Sequence, residues 1–288
     1  MRLLVTGGCG FVGSNFVRYV LQHYGPEMIT NVDALTTGRL ANLDGVVENY
    51  GARYEFLHAN IADADKIEAV LAKHQFFAVI HFAAESSGAA GTAVLLDRAR
   101  RHGVRRFLLV SKAGGASALG ASEEVALAAY RDHREEVVIT RATDSYGPFQ
   151  PPAGFIPNVI LHALRGRPSP VAGDGSQVRD WLHVEDHCAA LFTALLDGQA
   201  GAIYHLAAGA EVRDIDLAHR ILEHLGKGRD LVEFLPDQPA DASRRRVPAA
   251  DEQAMPAWKP RQNFDQGLRE TIAWYVRNRE TWEPLLDR

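Results

Sequence analysis

Over its first 141 residues the chain keeps alternating a short apolar run with a stretch of helical spacing, and that alternation leaves few folds open to it. Arg2-Leu3-Leu4-Val5-Thr6 stops at Gly7-Gly8. Beyond Gly13, apolar side chains recur at Phe16, Val17, Val20 and Leu21, one face of a helix. Further runs of strand character occupy residues 28–33, 53–58, 78–82, 106–111 and 137–141. Strands this uniformly apolar are buried on both faces. Strands separated by helices are joined by crossovers and run parallel. The pattern therefore predicts an α/β protein with a Rossmann-like, doubly wound parallel sheet.

From about Pro148 the texture changes. Glycine and proline cluster through residues 147–175, which reads as loops and a domain transition. The Rossmann-like domain is expected over residues 1–148 with a return segment near 178–208. A smaller mixed C-terminal substrate domain is expected from 149–177 and 209–288, closed by an amphipathic helix bearing Phe264, Leu268, Ile272 and Tyr275. Residues 236–260 form a second Pro- and Arg-rich stretch. At 288 residues, 47% hydrophobic and 23% charged, the chain can bury its cores without disulfides or metals. A net charge of −5 argues against a nucleic-acid partner. No apolar run approaches the ~18 residues of a membrane span, and Met1-Arg2 leads into a strand without a signal-peptide pattern, so a cytoplasmic protein is expected. Cys9 and Cys188 stand alone, and read as reduced thiols without a disulfide or a metal site.

The motif with most chemistry in it is Thr6-Gly7-Gly8-Cys9-Gly10-Phe11-Val12-Gly13-Ser14, between the first strand and the first helix. Glycines at 7, 10 and 13 permit a tight turn, a close backbone approach to a pyrophosphate, and close packing of helix on strand. The helix start, with the N–H groups around Phe11, Val12 and Gly13, offers donors and a positive dipole end to phosphate. Asp33 follows Gly13 at the end of the second strand, where a carboxylate accepts ribose hydroxyls and repels a 2′-phosphate. The reading is NAD rather than NADP; the plainer alternative is a structural turn followed by a surface Asp. Cys9 within the loop reads as a small filler, because a redox role needs an activated thiolate.

TGGCGFVGS, NVDALTTG, HANIAD, HFAAES, SYGP, GDGSQVRDWLHVEDH and WKPRQNFDQGLRETIAWY together resemble the extended short-chain dehydrogenase/reductases, most of all the dTDP-glucose 4,6-dehydratases and nucleotide-sugar epimerases. The resemblance spans nearly the whole chain. It implies that Asn60 and Ile61 border the adenine and that Phe82, Ala83 and Ala84 line the cofactor. It further implies a UDP- or dTDP-linked sugar near Asp144, Phe155, Asn158, Val171 and Arg179, with Arg179 on the diphosphate and Arg244, or its neighbours Arg245 and Arg246, in place of an arginine that dehydratases carry nearby. Without the surrounding block, Arg179 would read instead as a partner for Asp180 or Glu185. Family members dimerise through paired helices, which here look shortened between Ser87 and Thr92.

In that family a tyrosine takes the proton of a sugar hydroxyl as hydride passes to NAD, with a lysine four residues on. This chain has no tyrosine followed four residues later by a lysine; its lysines are Lys66, Lys73, Lys112, Lys227 and Lys259. The best register sets Leu119 and Glu123 where the pair belongs, and Ser111-Lys112-Ala113-Gly114 where dehydratases carry Ser-Thr-Asp-Glu. A positioned general base is worth typically ~10²–10⁴ in rate, so ordinary 4,6-dehydration is not expected. Ser111 and Lys112, at the end of the fifth strand, are the remaining catalytic candidates; an exposed loop lysine is the alternative for Lys112. Tyr130 with Arg134 lies too far along the next helix, and His81 reads as a satisfied core histidine. Three readings follow: a nucleotide-sugar enzyme of altered acid–base chemistry, a non-catalytic NAD or nucleotide-sugar binder, or a binder of NAD alone.

Overall fold

The computed structural model describes residues 1–112, 118–236, 252–255 and 258–287. Two compact units divide them. The first takes Met1–Ala142, His187–Leu206 and Pro248–Lys259, and the second takes Thr143–Asp186, Ala207–Val247 and Pro260–Arg288. Residues 178–183 pair within the second unit, and the first unit resumes at His187.

The first unit begins with β1 (Arg2–Thr6), α1 (Phe11–His23), β2 (Met28–Asp33), the short α2 (Val46–Tyr50) and β3 (Tyr54–His58). It continues through α3 (Ala64–Lys73), β4 (Ala78–His81), α4 (Ala84–Arg101), β5 (Arg106–Lys112), α5 (Ala118–His133) and β6 (Glu136–Ala142). The second unit opens with β7 (Asp144–Tyr146), α6 (Phe155–Leu164), β8 (Ser169–Ala172) and β9 (Val178–His183). The helix α7 (Val184–Asp197) leads back to β10 (Ile203–Leu206) in the first unit. Then come β11 (Glu211–Arg213), α8 (Asp214–His224), β12 (Val232–Leu235), β13 (Glu252–Ala254), α9 (Phe264–Arg277) and α10 (Arg279–Trp282).

Eight parallel strands form the main sheet in the order β13-β10-β6-β5-β4-β1-β2-β3. Its centre is apolar on both faces: Leu3, Leu4, Val5, Val79 and Ile80 are all wholly buried, as the unbroken runs required. The strand order reverses between β1 and β4, and in open α/β sheets ligands bind at the carboxyl ends of the strands at that switch point. The same ends carry the glycine loop and the β4–α4 turn.

The second unit has its own core, of Tyr146, Ile156, Val159, Ile160, Val171, Trp181, Leu217, Ile221, Leu268, Ile272 and Tyr275 among others. Its strands form a three-stranded sheet, β11-β9-β7, and a parallel pair, β12-β8. The stretch 147–175, read as loops, contains α6 and β8. The largely apolar decapeptide from Phe155 to Leu164 buries six of its ten residues, and Pro157 sits in the first turn, where a missing N–H costs little. The closing helix α9 is where the periodicity placed it. Asn263 caps it by accepting from the Gln266 N–H at 3.2 Å, and its apolar stripe at Leu268, Ile272 and Tyr275 is buried. No helix among the described residues is long and apolar enough to cross a membrane.

Candidate functional site

The glycine loop is shaped by close approaches that only glycine allows. Gly7 holds φ at +76°, and a methyl there would lie 2.9 Å from the Ala83 nitrogen. A methyl on Gly13 would lie 2.3 Å from the Gly7 carbonyl oxygen, so β1 and α1 pack at a distance no larger residue permits. Gly10 is the N-cap of α1 and supplies no side chain to cap it, and the first turn of the helix holds no acidic side chain. The N-terminal donors of α1 are therefore left for an external anion.

Asp33 stands at the end of β2 with its carboxylate on the glycine loop. The Cys9 N–H donates to Oδ2 at 2.8 Å and the Leu35 N–H to Oδ1 at 2.8 Å. Each oxygen keeps acceptor capacity for one ribose hydroxyl. Leu35 itself adopts φ +56°, an uncommon conformation for a non-glycine residue, and closes this turn back towards the loop. These features fit a dinucleotide: an uncapped helix start for pyrophosphate, and a fixed carboxylate beside it. Phe82 and Ala83 follow β4 directly against Gly7, and the Phe82 ring lies 5.5 Å from that of Phe16. Ala84 and Ile61 are buried, while Asn60 is exposed and uses its Oδ1 to accept the Ala62 N–H at 2.9 Å.

Cys9 is buried, and burial pushes its thiol up to about 12, with the nearby Asp33 charge acting in the same direction. A thiolate there is disfavoured. His81 is equally inert. It donates or accepts between Thr6 Oγ1 at 2.7 Å and Thr92 Oγ1 at 3.1 Å, and burial brings its pKa down to about 3. The expectation of a satisfied core histidine describes this arrangement.

In the second unit Arg179 is held by a partner that the sequence did not suggest. Its Nε and Nη2 grip the buried carboxylate of Asp214, at 2.9 and 3.0 Å, and not Asp180 or Glu185. Nη2 also donates to Gln177 Oε1 at 3.2 Å, and Nη1 lies 3.8 Å from Asp144 Oδ2. The guanidinium lies over Phe155 and Trp181, 5.6 and 5.9 Å from their ring centroids. Arg179, Asp144 and Phe155 are thus one cluster. Asn158 donates to the Pro152 carbonyl at 3.2 Å, and its buried Oδ1 accepts nothing among the described residues. The Val171 side chain is wholly buried in the core of the unit.

Much of the block from Gly173 to His187 staples the second unit together. Asp180 accepts the N–H groups of Ala208 and Ala210 at 3.2 and 2.7 Å, and Asp186 those of Arg261 and Gln262 at 3.0 and 2.8 Å. Trp181 fills the core. The block's presence therefore speaks for the architecture of this unit as well as for a ligand.

Of the catalytic candidates, Ser111 is buried with an Oγ that has no partner among the described residues, and it stands opposite Arg141 in the sheet. Lys112, the next residue, is exposed, so burial in the chain alone does not desolvate its amine. Glu123, placed by the sequence at the ammonium position, forms a bidentate pair with Arg141 at 2.9 and 2.5 Å, tying α5 to β6. Tyr130 packs against the first unit's core and against Gly201, where a methyl would lie 2.3 Å from its ring. Arg244, Arg245 and Arg246, and residues 113–117, lie outside the described residues. The sequence reading missed Asn31, Asn42 and Asp214. Asn31, a polar residue in an apolar strand, was a legible signal; Asp214, thirty-five residues from Arg179, carried none.

The profile of the NAD dependent epimerase/dehydratase family matches residues 116–207, and that of GDP-mannose 4,6 dehydratase matches residues 4–127. The chain is 37% identical to a dTDP-glucose 4,6-dehydratase of Streptomyces niveus, over 99% of this chain and 96% of that protein. Two dTDP-glucose 4,6-dehydratases solved with NAD, from Bacillus anthracis and from Streptomyces venezuelae, superpose with a TM-score of 0.87 at 32% identity. Each match covers 99% of this chain, and 99% and 100% of the respective structures. A Rossmann-like sheet opening on a glycine loop, with a smaller unit drawn from later segments, is the architecture of an extended short-chain dehydrogenase/reductase. The chain belongs to the NAD-dependent epimerase/dehydratase family of that class. The alignment with the Streptomyces niveus protein runs over 325 positions against 288 residues here, so that relative carries internal stretches, tens of residues in total, that this chain lacks.

Proposed function

We propose that the first unit binds NAD on the glycine loop and Asp33, and that the second takes a dTDP- or UDP-linked sugar at Arg179, Asp144, Phe155 and Asn158, without the family's tyrosine–lysine acid–base pair. The observation that carries the reading is the coexistence of an uncapped helix start beside a fixed carboxylate with a sequence in which no tyrosine precedes a lysine by four. Bound NAD would supply a hydride acceptor. The N–H groups of Phe11, Val12 and Gly13 would hold its pyrophosphate, Asp33 its adenosine ribose, and Asn60 and Ile61 would border the adenine.

Chemistry on the sugar then depends on another base. Lys112 is the candidate, with Ser111 beside it, whose hydroxyl has no partner among the described residues. Lys112 is exposed in the chain alone, so it can serve only where a bound dinucleotide shields it from solvent. The test is incubation with dTDP- and UDP-hexoses plus NAD in D₂O. Deuterium at a sugar carbon, abolished by Lys112→Met, supports altered catalysis. Exchange that persists in Lys112→Met removes Lys112 from the mechanism, and exchange at the level of an ordinary dehydratase overturns the loss of the pair.

A second reading, binding without turnover, is favoured by the internal stretches this chain lacks and by the structural work already performed by the retained block. Calorimetric binding of a sugar nucleotide with no exchange over hours supports it.

A further inference from the structure

The glycine loop is held by two amide side chains from neighbouring segments. Asn31 lies on β2, wholly buried, and its Oδ1 accepts the Gly8 N–H at 3.0 Å. Its Nδ2 donates to the buried Tyr54 hydroxyl at 3.0 Å, which fixes the amide's orientation. A methyl on Gly8 would lie 2.3 Å from Asn31 Oδ1, so backbone and amide are in direct contact. On the other side, Asn42 Nδ2 donates to the Cys9 carbonyl at 2.9 Å, which also accepts the Arg39 N–H at 2.9 Å. Asn42 is itself anchored: its own carbonyl accepts Arg18 Nε at 3.0 Å and Nη2 at 2.9 Å.

The Gly8 N–H and the Cys9 carbonyl are thereby satisfied before any ligand arrives. A loop so rich in glycine has large conformational freedom to lose, and pre-fixing it removes that cost from binding. We infer that Asn31 and Asn42 are positioning residues for the cofactor: together they hold the glycine loop in the shape that leaves the start of α1 open to a pyrophosphate. The inference rests on the reading that this loop takes NAD.

The experiment compares dissociation constants of NAD and of adenosine, which lacks the pyrophosphate, for the wild type, Asn31→Leu, Asn42→Leu and Tyr54→Phe, with thermal unfolding of each. A buried donor left without its acceptor costs enough to change an equilibrium about tenfold. The expected result is an NAD dissociation constant raised about tenfold in each Asn variant, and less in Tyr54→Phe, with adenosine affinity unchanged. A purely structural role would lower the unfolding temperature while leaving the ratio of the two affinities where it was, and that result overturns the inference. Tyr54→Phe removes one oxygen and keeps Asn31, so it reports even if Asn31→Leu does not fold. With Asn31→Leu lost, unchanged NAD affinity in both Tyr54→Phe and Asn42→Leu overturns it. A wild type that binds no NAD overturns the cofactor reading itself, whereas equal NAD binding by wild type and variants overturns the clamp alone.

Discussion

Asp33 and Arg179 show what single positions reveal and conceal. The place of Asp33 was legible because spacing from a glycine loop fixes it at the end of β2, and its carboxylate meets the loop through Cys9. Replacing it with Asn removes the charge that repels a 2′-phosphate and weakens one acceptor. NAD affinity should fall about tenfold while the preference over NADP shrinks, read by titrating both cofactors. Arg179 carried the expected diphosphate role, yet the structure spends its guanidinium on Asp214, which is 1% exposed. Arg179→Ala removes two hydrogen bonds and a counter-charge from that buried carboxylate and should cost about 3–5 kcal/mol in urea unfolding with no ligand present. A loss under 1 kcal/mol would show that Asp214 does not depend on this partner. Sequence could not supply the pairing, since a contact across thirty-five residues follows from the β9–α8 geometry and not from any spacing rule.

At the scale of elements, periodicity and glycine placement gave the first six strands to within a residue or two, left the short strands of the later segments unread, and missed α6 because its apolar decapeptide sits between two Pro/Gly clusters. The helix α4 holds a break at Gly88, with φ +61° and ψ −169°. No atom of the described residues lies within 4 Å of a methyl built there, so space is available and the backbone is not. Gly88→Ala should therefore destabilise by about 1–3 kcal/mol. By contrast Gly120→Ala, equally open and inside α5, should stabilise by about 0.5–1 kcal/mol. Equal effects of the two in thermal unfolding would contradict this. The network of His81 joins β1, β4 and α4, and Thr92 passes it on to Ser122 of α5 at 3.2 Å. In the folded chain burial holds His81 down to about 3, against about 6.5 when unfolded. Below about pH 6.5 the unfolded chain therefore binds a proton that the folded one refuses, and stability drains as pH falls towards 3. His187, down to about 4 by burial, acts in the same sense. Urea unfolding at pH 7 and pH 5 should show the loss, at up to about 1.4 kcal/mol per pH unit for each histidine, with a shallower slope in His81→Asn.

For the molecule as a whole, the three readings differ in which ligands stabilise the fold. A ligand binding only the native state adds RT ln(1 + [L]/Kd), about 2.7 kcal/mol at a hundredfold excess over Kd. In a chain of this length that amounts to several degrees in unfolding temperature. NAD alone should give this rise, because the uncapped start of α1 and Asp33 are complete without further residues. A dTDP- or UDP-hexose should add a second increment, because a diphosphate offers Arg179 a second anion beside Asp214 and Asn158 Oδ1 has no donor among the described residues, which a sugar hydroxyl can provide. Arg179→Lys should lose most of that second increment and keep the first, since an ammonium cannot hold Asp214 and a diphosphate in two bidentate pairs. A sugar nucleotide that gives no increment, alone or with NAD, leaves the chain a binder of the dinucleotide only. An increment accompanied by isotope exchange makes it an enzyme, and one without exchange a sensor or partner subunit that has kept its relatives' ligands.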